Sequence, residues 1–199
     1  MDEHMDTGTF LQILANETGE KPEDILCFDL SVYHYAEPVR TGFSGDMFMA
    51  PRIDNISSVQ ACLTGLIEAN PSDGISVAVL FDHEEIGSRS KNGANGNLLS
   101  YTLERICNAL NISRENFLQS LVHSYYLSLD VAHAIHPAHP EKSDITSAMP
   151  LNRGFAIKAS AKHAYCSDDD MTGVILQLAA RHHIACQQNH MRNDYPGGS

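Results

Sequence analysis

Four acidic side chains stand where this chain could do chemistry: Asp54, Glu84, Glu85 and Asp130. The densest group is LFDHEEIGSRS, residues 80–90, in which Asp82, His83, Glu84 and Glu85 are consecutive. Three carboxylates in four positions repel one another, and folding alone supplies no reason to gather them behind an apolar run. Asp54 follows FMAPRI and Asp130 follows SYYLSL, so each acid comes after a segment of strand type. In open α/β sheets, ligands gather at the carboxyl ends of strands. Carboxylates flanked by buried residues need a compensating partner, and a cation shared by all of them supplies it. Divalent zinc accepts carboxylate oxygen and imidazole nitrogen, and a catalytic site leaves one position for water. Neighbouring side chains on a strand end point in different directions. One glutamate can therefore bind metal while the other faces the water as a general base.

Taken singly, each acid has a plainer reading. The Glu84–Glu85 pair suits a solvated surface, Asp54 suits a helix N-cap before NISSVQ, and Asp130 suits a buried, hydrogen-bonded aspartate. The ladder His133, His136, His139 in AHAIHPAHP reads as metal-binding or as exposed loop beside Pro137 and Pro140. SDDDM reads as a solvated helix start. KNGANGN is no phosphate loop, because the strand–GxxxxGK–helix context is absent.

These acids must be positioned by the elements around them. TFLQILANETG reads as a short amphipathic helix stopped by Gly19. ILCFDLSVYHY alternates as a half-buried strand does, and MFMAP reads as a short strand before a helix over DNISSVQACLTGLIEA. GISVAVLF, a continuous apolar run bounded by turn signals, suits a strand buried on both faces. LLSYTLERICNAL and RENFLQSLVHSYY read as helices, LSLDVAHAI as a strand running into a loop, and GFAIKAS as a short strand. DDDMTGVILQLAARHH reads as a helix with acids first and histidines last, matching the helix dipole. IACQQ follows as a strand. Strands alternating with helices imply an α/β layered fold.

The chain has 199 residues, 43% hydrophobic and 19% charged, enough for one globular domain, or one domain plus part of another. A net charge of -12 disfavours nucleic acid and anionic membrane surfaces as partners. The five cysteines form no CxxC pair, which reads as reduced thiols in a cytoplasmic protein. MDEHMDTGTF resembles no signal peptide, and no apolar run approaches a membrane span.

PRIDN, FDHEEIGS, SLDVAHAIHP, GFAIK and MRNDYPGGS occur in the order and approximate spacing of the aspartyl aminopeptidase family, which this chain resembles over nearly its whole length. Members are dinuclear zinc exopeptidases that assemble as tetrahedral dodecamers. The resemblance implies an α/β/α zinc-exopeptidase catalytic domain with a mixed, mostly parallel sheet, incomplete at both ends. Residues 1–35 resemble the end of an inserted dimerisation domain, and residues 36–199 a partial catalytic domain. The implied activity is removal of N-terminal Asp or Glu from peptides, with manganese or cobalt as alternatives to zinc. The implied partners are acidic peptides and further copies of the chain.

By the same resemblance, Asp54 bridges two metals across a cis link to Asn55. Glu85 and Asp130 each bind one ion, and Glu84 is the general base that later protonates the leaving amine. His133 and His136 face the substrate, with His136 placed to polarise the scissile carbonyl. Lys158 and Tyr165 line the first specificity pocket. A lysine in a partly dry cleft favours an acidic side chain, although Lys158 could instead pair with Asp168. The family's two metal-binding histidines fall before Met1 and after Ser199, so the chain carries three of the usual ligand positions and is expected to turn over little or nothing by itself. His83, Tyr195 and Gly197 depart from the family's usual residues. Two other readings stay open: a related dinuclear aminopeptidase preferring glutamyl or neutral residues, and a non-catalytic remnant serving as an assembly module.

Overall fold

The computed structural model describes residues 6–144, 146–160 and 168–190. The chain divides into two compact units, Met1–Pro51 and Arg52–Ser199. Every described residue implicated in chemistry belongs to the second.

In the first unit, helix α1 spans Thr7–Thr18. Asp6 caps it by accepting the Thr9 N–H at 2.7 Å, and Gly19 ends it at φ 76°, donating to the Ala15 carbonyl, the left-handed stop that glycine supplies without a Cβ penalty. Strands β1 (Val39–Thr41) and β2 (Met47–Met49) pair antiparallel. ILCFDLSVYHY, expected as a strand, forms none: Leu26, Phe28, Leu30 and Val32 are all exposed. Phe28 instead meets Phe10 of α1 edge-to-face at 5.7 Å.

The second unit holds helices α2 (Ile53–Glu68), α3 (Leu98–Ala109), α4 (Arg114–Val122) and α5 (Asp169–Arg181), with strands β3 (Phe155–Ala159) and β4 (Cys186–His190). The helices fall where the apolar periodicity put them, although α4 stops short of Tyr125 and Tyr126. Ser113 and Asp168 cap α4 and α5, accepting from Asn116 and Met171. β3 and β4 are parallel, joined through α5, with Lys158 opposite Asn189. Phe117, Met149 and Ala179 are buried here.

The architecture is thus mixed α/β, but the expected single sheet is represented among the described residues by two separate strand pairs, one parallel and one antiparallel. GISVAVLF and LSLDVAHAI, read as strands, make no ladder, and Ile75, Val77 and Leu80 are exposed. A strand exists only through a run of inter-strand hydrogen bonds, and among the described residues these segments make none beyond the single Ile135 N–H to Met149 carbonyl bond at 2.8 Å. No described helix is long and apolar enough to cross a membrane. Cys27, Cys62, Cys107 and Cys186 are free thiols; Cys166 lies outside the described residues.

Candidate functional site

Asp54 sits at an irregular entry to α2. Arg52 takes a left-handed conformation, Asp54 and Asn55 depart from helical dihedrals, and the peptide bond between them is cis. The capping role suited to Asp54 is not seen, since the residue at the cap position is Arg52 and it forms no side-chain cap bond. The irregular entry leaves the Asp54 carboxyl facing Asp130 and Glu85.

Glu84 and Glu85 lie on a single 3-10 turn, Glu84–Ile86, bracketed by left-handed His83 and Gly87. Behind the turn, residues 82–96 close on themselves. Asp82 N–H donates to the Asn92 carbonyl at 3.2 Å, Ser88 N–H to His83 at 2.9 Å, and Asn95 N–H to Ser88 at 3.1 Å. Ser90 Oγ holds His83 Nδ1 at 2.6 Å and accepts the Gly93 N–H at 3.1 Å. A Cβ on Gly93 would collide with the Ser88 backbone, so the glycines of KNGANGN allow backbone to approach backbone beneath the two glutamates. Glu84 is half-buried and Glu85 exposed.

Asp130 accepts the Val131 N–H at 2.7 Å on Oδ1 and the Lys158 Nζ at 3.0 Å on Oδ2. Lys158 comes from β3, and Asp168, the alternative partner read from sequence, is occupied in capping α5. Burial pushes the Asp54 carboxyl up, with the neighbouring charge of Asp130, a hydrogen bond to Asp130 and the charge of Glu85 adding to it, against the pull of Lys158. Burial also pushes Asp130 up, but the Lys158 and Val131 hydrogen bonds, the Lys158 charge and the Asp54 hydrogen bond together bring it below the usual carboxylate range. Burial and like charge thus raise Asp54 while Lys158 and the Val131 N–H lower Asp130, so the two neighbouring carboxyls are shifted in opposite directions.

His133 and His136 are exposed. The Ala138 N–H donates to His136 Nδ1 at 3.2 Å, so a neutral His136 ring carries its proton on Nε2 and presents that atom as a donor. Its ring lies 5.2 Å from that of His139, whose Nδ1 meets Glu141 at 3.2 Å. Tyr165 lies outside the described residues. Sequence reasoning passed over Asn189, Ser147 and Ser90, whose roles arise from strand pairing and loop closure and leave no mark in residue spacing.

Among the described residues, no three His, Cys, Asp or Glu side chains are arranged to hold a metal ion. The donor chemistry nevertheless suits one: Asp54 feels the charge of both Asp130 and Glu85, carboxylates from distant segments, and the Lys158 ammonium on Asp130 is the compensating charge the structure gives them. Hard oxygen donors of this kind accept zinc and other divalent ions.

Comparison with known proteins identifies the family. The model of the family described as aminopeptidase I zinc metalloprotease (M18) matches residues 2–199. A probable M18 family aminopeptidase 2 from Clostridium novyi is 38% identical over 189 residues, 95% of this chain and 44% of that protein. A probable aspartyl aminopeptidase from Ricinus communis is 30% identical over 196 residues, 95% of this chain and 40% of that protein. The structure of the S. cerevisiae mApe1 dodecamer superposes with a TM-score of 0.73 at 26% identity, covering 92% of this chain and 43% of that one. The chain thus spans less than half the length of these relatives. It belongs to the M18 family of aminopeptidase I zinc metalloproteases.

Proposed function

We propose that the protein is a zinc-dependent aminopeptidase that removes N-terminal Asp or Glu from peptides, and that this chain carries part of its site. The observation that carries the reading is the meeting of Asp54, Glu85, Asp130 and Lys158 from four separate segments, with a lysine ammonium 3.0 Å from one carboxylate. Asp54, Glu85 and Asp130 would hold the metal, two ions in the complete site. Zinc, when bound, supplies Lewis acidity toward a peptide carbonyl and activates water for attack. Glu84, half-buried on a turn fixed from behind, takes a proton from the attacking water and returns it to the leaving amine. His136, with Nε2 as donor, steadies the oxygen on which negative charge develops, while His133 lies beside the bound peptide. Lys158 attracts the acidic side chain of the first residue, and Tyr165 is assigned to the same pocket. The free thiols suit a cytoplasmic setting, and the dodecamer formed by the S. cerevisiae relative supports a homo-oligomer. Among the described residues these three carboxylates form no group that could hold a metal, an incomplete ligand set, so metal binding and turnover by this chain alone are weak.

A second reading is a non-catalytic assembly module, favoured by the want of a ready metal-holding arrangement among the described residues. The test is to assay the purified chain with zinc on peptides beginning with Asp, Glu or Leu, and to measure retained zinc by elemental analysis. The proposal expects slow cleavage confined to Asp and Glu, reduced about 100-fold or more in Glu84→Gln. Equal cleavage of the leucyl peptide removes the acidic preference. No cleavage and no retained zinc leaves the assembly module standing.

A further inference from the structure

His83 takes the left-handed conformation, φ 61° and ψ 28°, immediately before the turn that carries Glu84. That conformation is unfavourable for a residue with a Cβ, so its surroundings must hold it. The backbone of His83 supplies part of the hold. Its N–H donates to Asp82 Oδ1 at 2.9 Å, and its carbonyl accepts from the Ile86 N–H at 3.3 Å and the Ser88 N–H at 2.9 Å. Any residue at 83 could make those bonds. Two contacts require the imidazole. Nε2 lies 3.7 Å from Asp82 Oδ2, but with the side chains 39% and 66% exposed that pair contributes little. Nδ1 lies 2.6 Å from Ser90 Oγ, seven positions along the chain.

Ser90 is itself held in place. It is half-buried, and the Gly93 N–H is shared between its Oγ at 3.1 Å and its carbonyl at 3.3 Å. A Cβ at 93 would run into the Ser88 backbone, so only glycine lets the loop close this tightly. The bond from the Asp82 N–H to the Asn92 carbonyl, at 3.2 Å, ties the return of the loop to its start. While receiving the Gly93 N–H, the hydroxyl can donate to a bare Nδ1 or accept from a protonated one. The contact therefore forms with either tautomer of His83. The turn Glu84–Ile86 is a 3-10 turn of three residues, a form whose hydrogen bonds are poorly aligned. Its direction is set by the residue from which it starts.

We propose that Ser90 is a positioning residue for Glu84, acting through the His83 ring. The ring is a strut between residues 88–96 and the turn, and it fixes where the Glu84 carboxylate stands relative to the attacking water. Histidine at 83 and serine at 90 then work as one unit. This rests on the reading of Glu84 as the general base.

The experiment uses the purified chain with zinc on a peptide beginning with Asp, for wild type, Ser90→Ala, Ser90→Thr, His83→Gly, His83→Gly/Ser90→Ala and Glu84→Gln, together with the nitrogen resonances of the His83 ring. Ser90→Ala is expected to move the Nδ1 resonance and to lower kcat about tenfold with KM unchanged, because a displaced base is felt in the transition state and not in binding. Ser90→Thr, which keeps the hydroxyl, restores both. Glycine at 83 tolerates the left-handed backbone and has no ring to hold. On that background Ser90→Ala should change kcat by less than about twofold, the non-additivity expected of residues in contact. An Nδ1 resonance that is the same in wild type and Ser90→Ala overturns the proposal, as do equal losses of kcat on the two backgrounds, which would make Ser90 a prop of the loop alone. Ser90 variants that match wild type while Glu84→Gln is impaired overturn the positioning role and keep Glu84 as the base. Cleavage indifferent to Glu84→Gln, or absent in wild type, overturns the reading of Glu84 and the positioning role with it.

Discussion

Asp54 and Asp130 lie 76 positions apart in the sequence, yet each shifts the other's carboxyl. Each carboxylate had a plain reading by itself, and for two of them that reading fails in an informative way. Asp54 does not cap its helix, and Asp130, although hydrogen-bonded, is bonded to the lysine assigned to the specificity pocket. Glu85, in contrast, is exposed as a solvated pair member would be. Asp144 is a residue whose electrostatics can be tested apart from the site. Thr146 donates to its carboxylate through side chain and backbone, Ser147 donates as well, and together these hold it below the usual carboxylate range against its desolvation. A depressed folded-state value means that the turn's contribution is present above the unfolded pKa, near 3.9, and is lost as pH falls through the folded value. Thermal midpoints between pH 2.5 and 6 should therefore rise more steeply with pH in the wild type than in Asp144→Asn. Parallel curves would show that the turn contributes nothing to this dependence.

The turn at Asp144 matters because Ser147 clamps the end of β4. Its Oγ accepts the His190 N–H at 3.0 Å and donates to the His190 carbonyl at 3.2 Å, while its carbonyl takes the Asn189 amide. At the other end of the same strand pair, Gly154 precedes β3 at φ 96°, against the carbonyl of Ala185. The Phe155 N–H donates to that same carbonyl at 3.2 Å, so a methyl group at 154 would push apart the first rung of the ladder. Gly154→Ala should lower the unfolding free energy by at least about 2 kcal/mol, measured by urea denaturation, and should loosen the strand carrying Lys158. Wild-type stability in that variant would mean that the strand start can shift at little cost. The elements were legible where a local rule governs them. The helix stop at Gly19 and the apolar faces of the helices each depend on neighbours within a turn or two. The misread segments, ILCFDLSVYHY, GISVAVLF and LSLDVAHAI, are those whose structure depends on a partner elsewhere.

At the scale of the whole molecule, the two strand pairs are the only ladders among the described residues, and much β-type sequence stands outside them. Amide exchange makes this testable. Amides within 155–159, 186–190 and α5 should be protected, and those within 75–81 should exchange near the intrinsic rate, because no described backbone group accepts from them. Strong protection across 75–81 in the isolated chain would show a ladder that this structure lacks. The sequence by itself determined the mixed α/β class, the positions of the helices and the acids that could do chemistry. These follow from periodicity, capping and residue type, which act over a few positions. The resemblance carried by five ordered motifs extended this to a family, and comparison with known proteins bears the family out. Only the tertiary structure decided which acids perturb one another, that Lys158 rests on Asp130, and that Asn189 stands opposite it with an unpaired oxygen. Those facts depend on strand register and on the path of loops between distant segments, and Coulomb energies and hydrogen bonds are set by distance in space, which spacing along a chain does not encode.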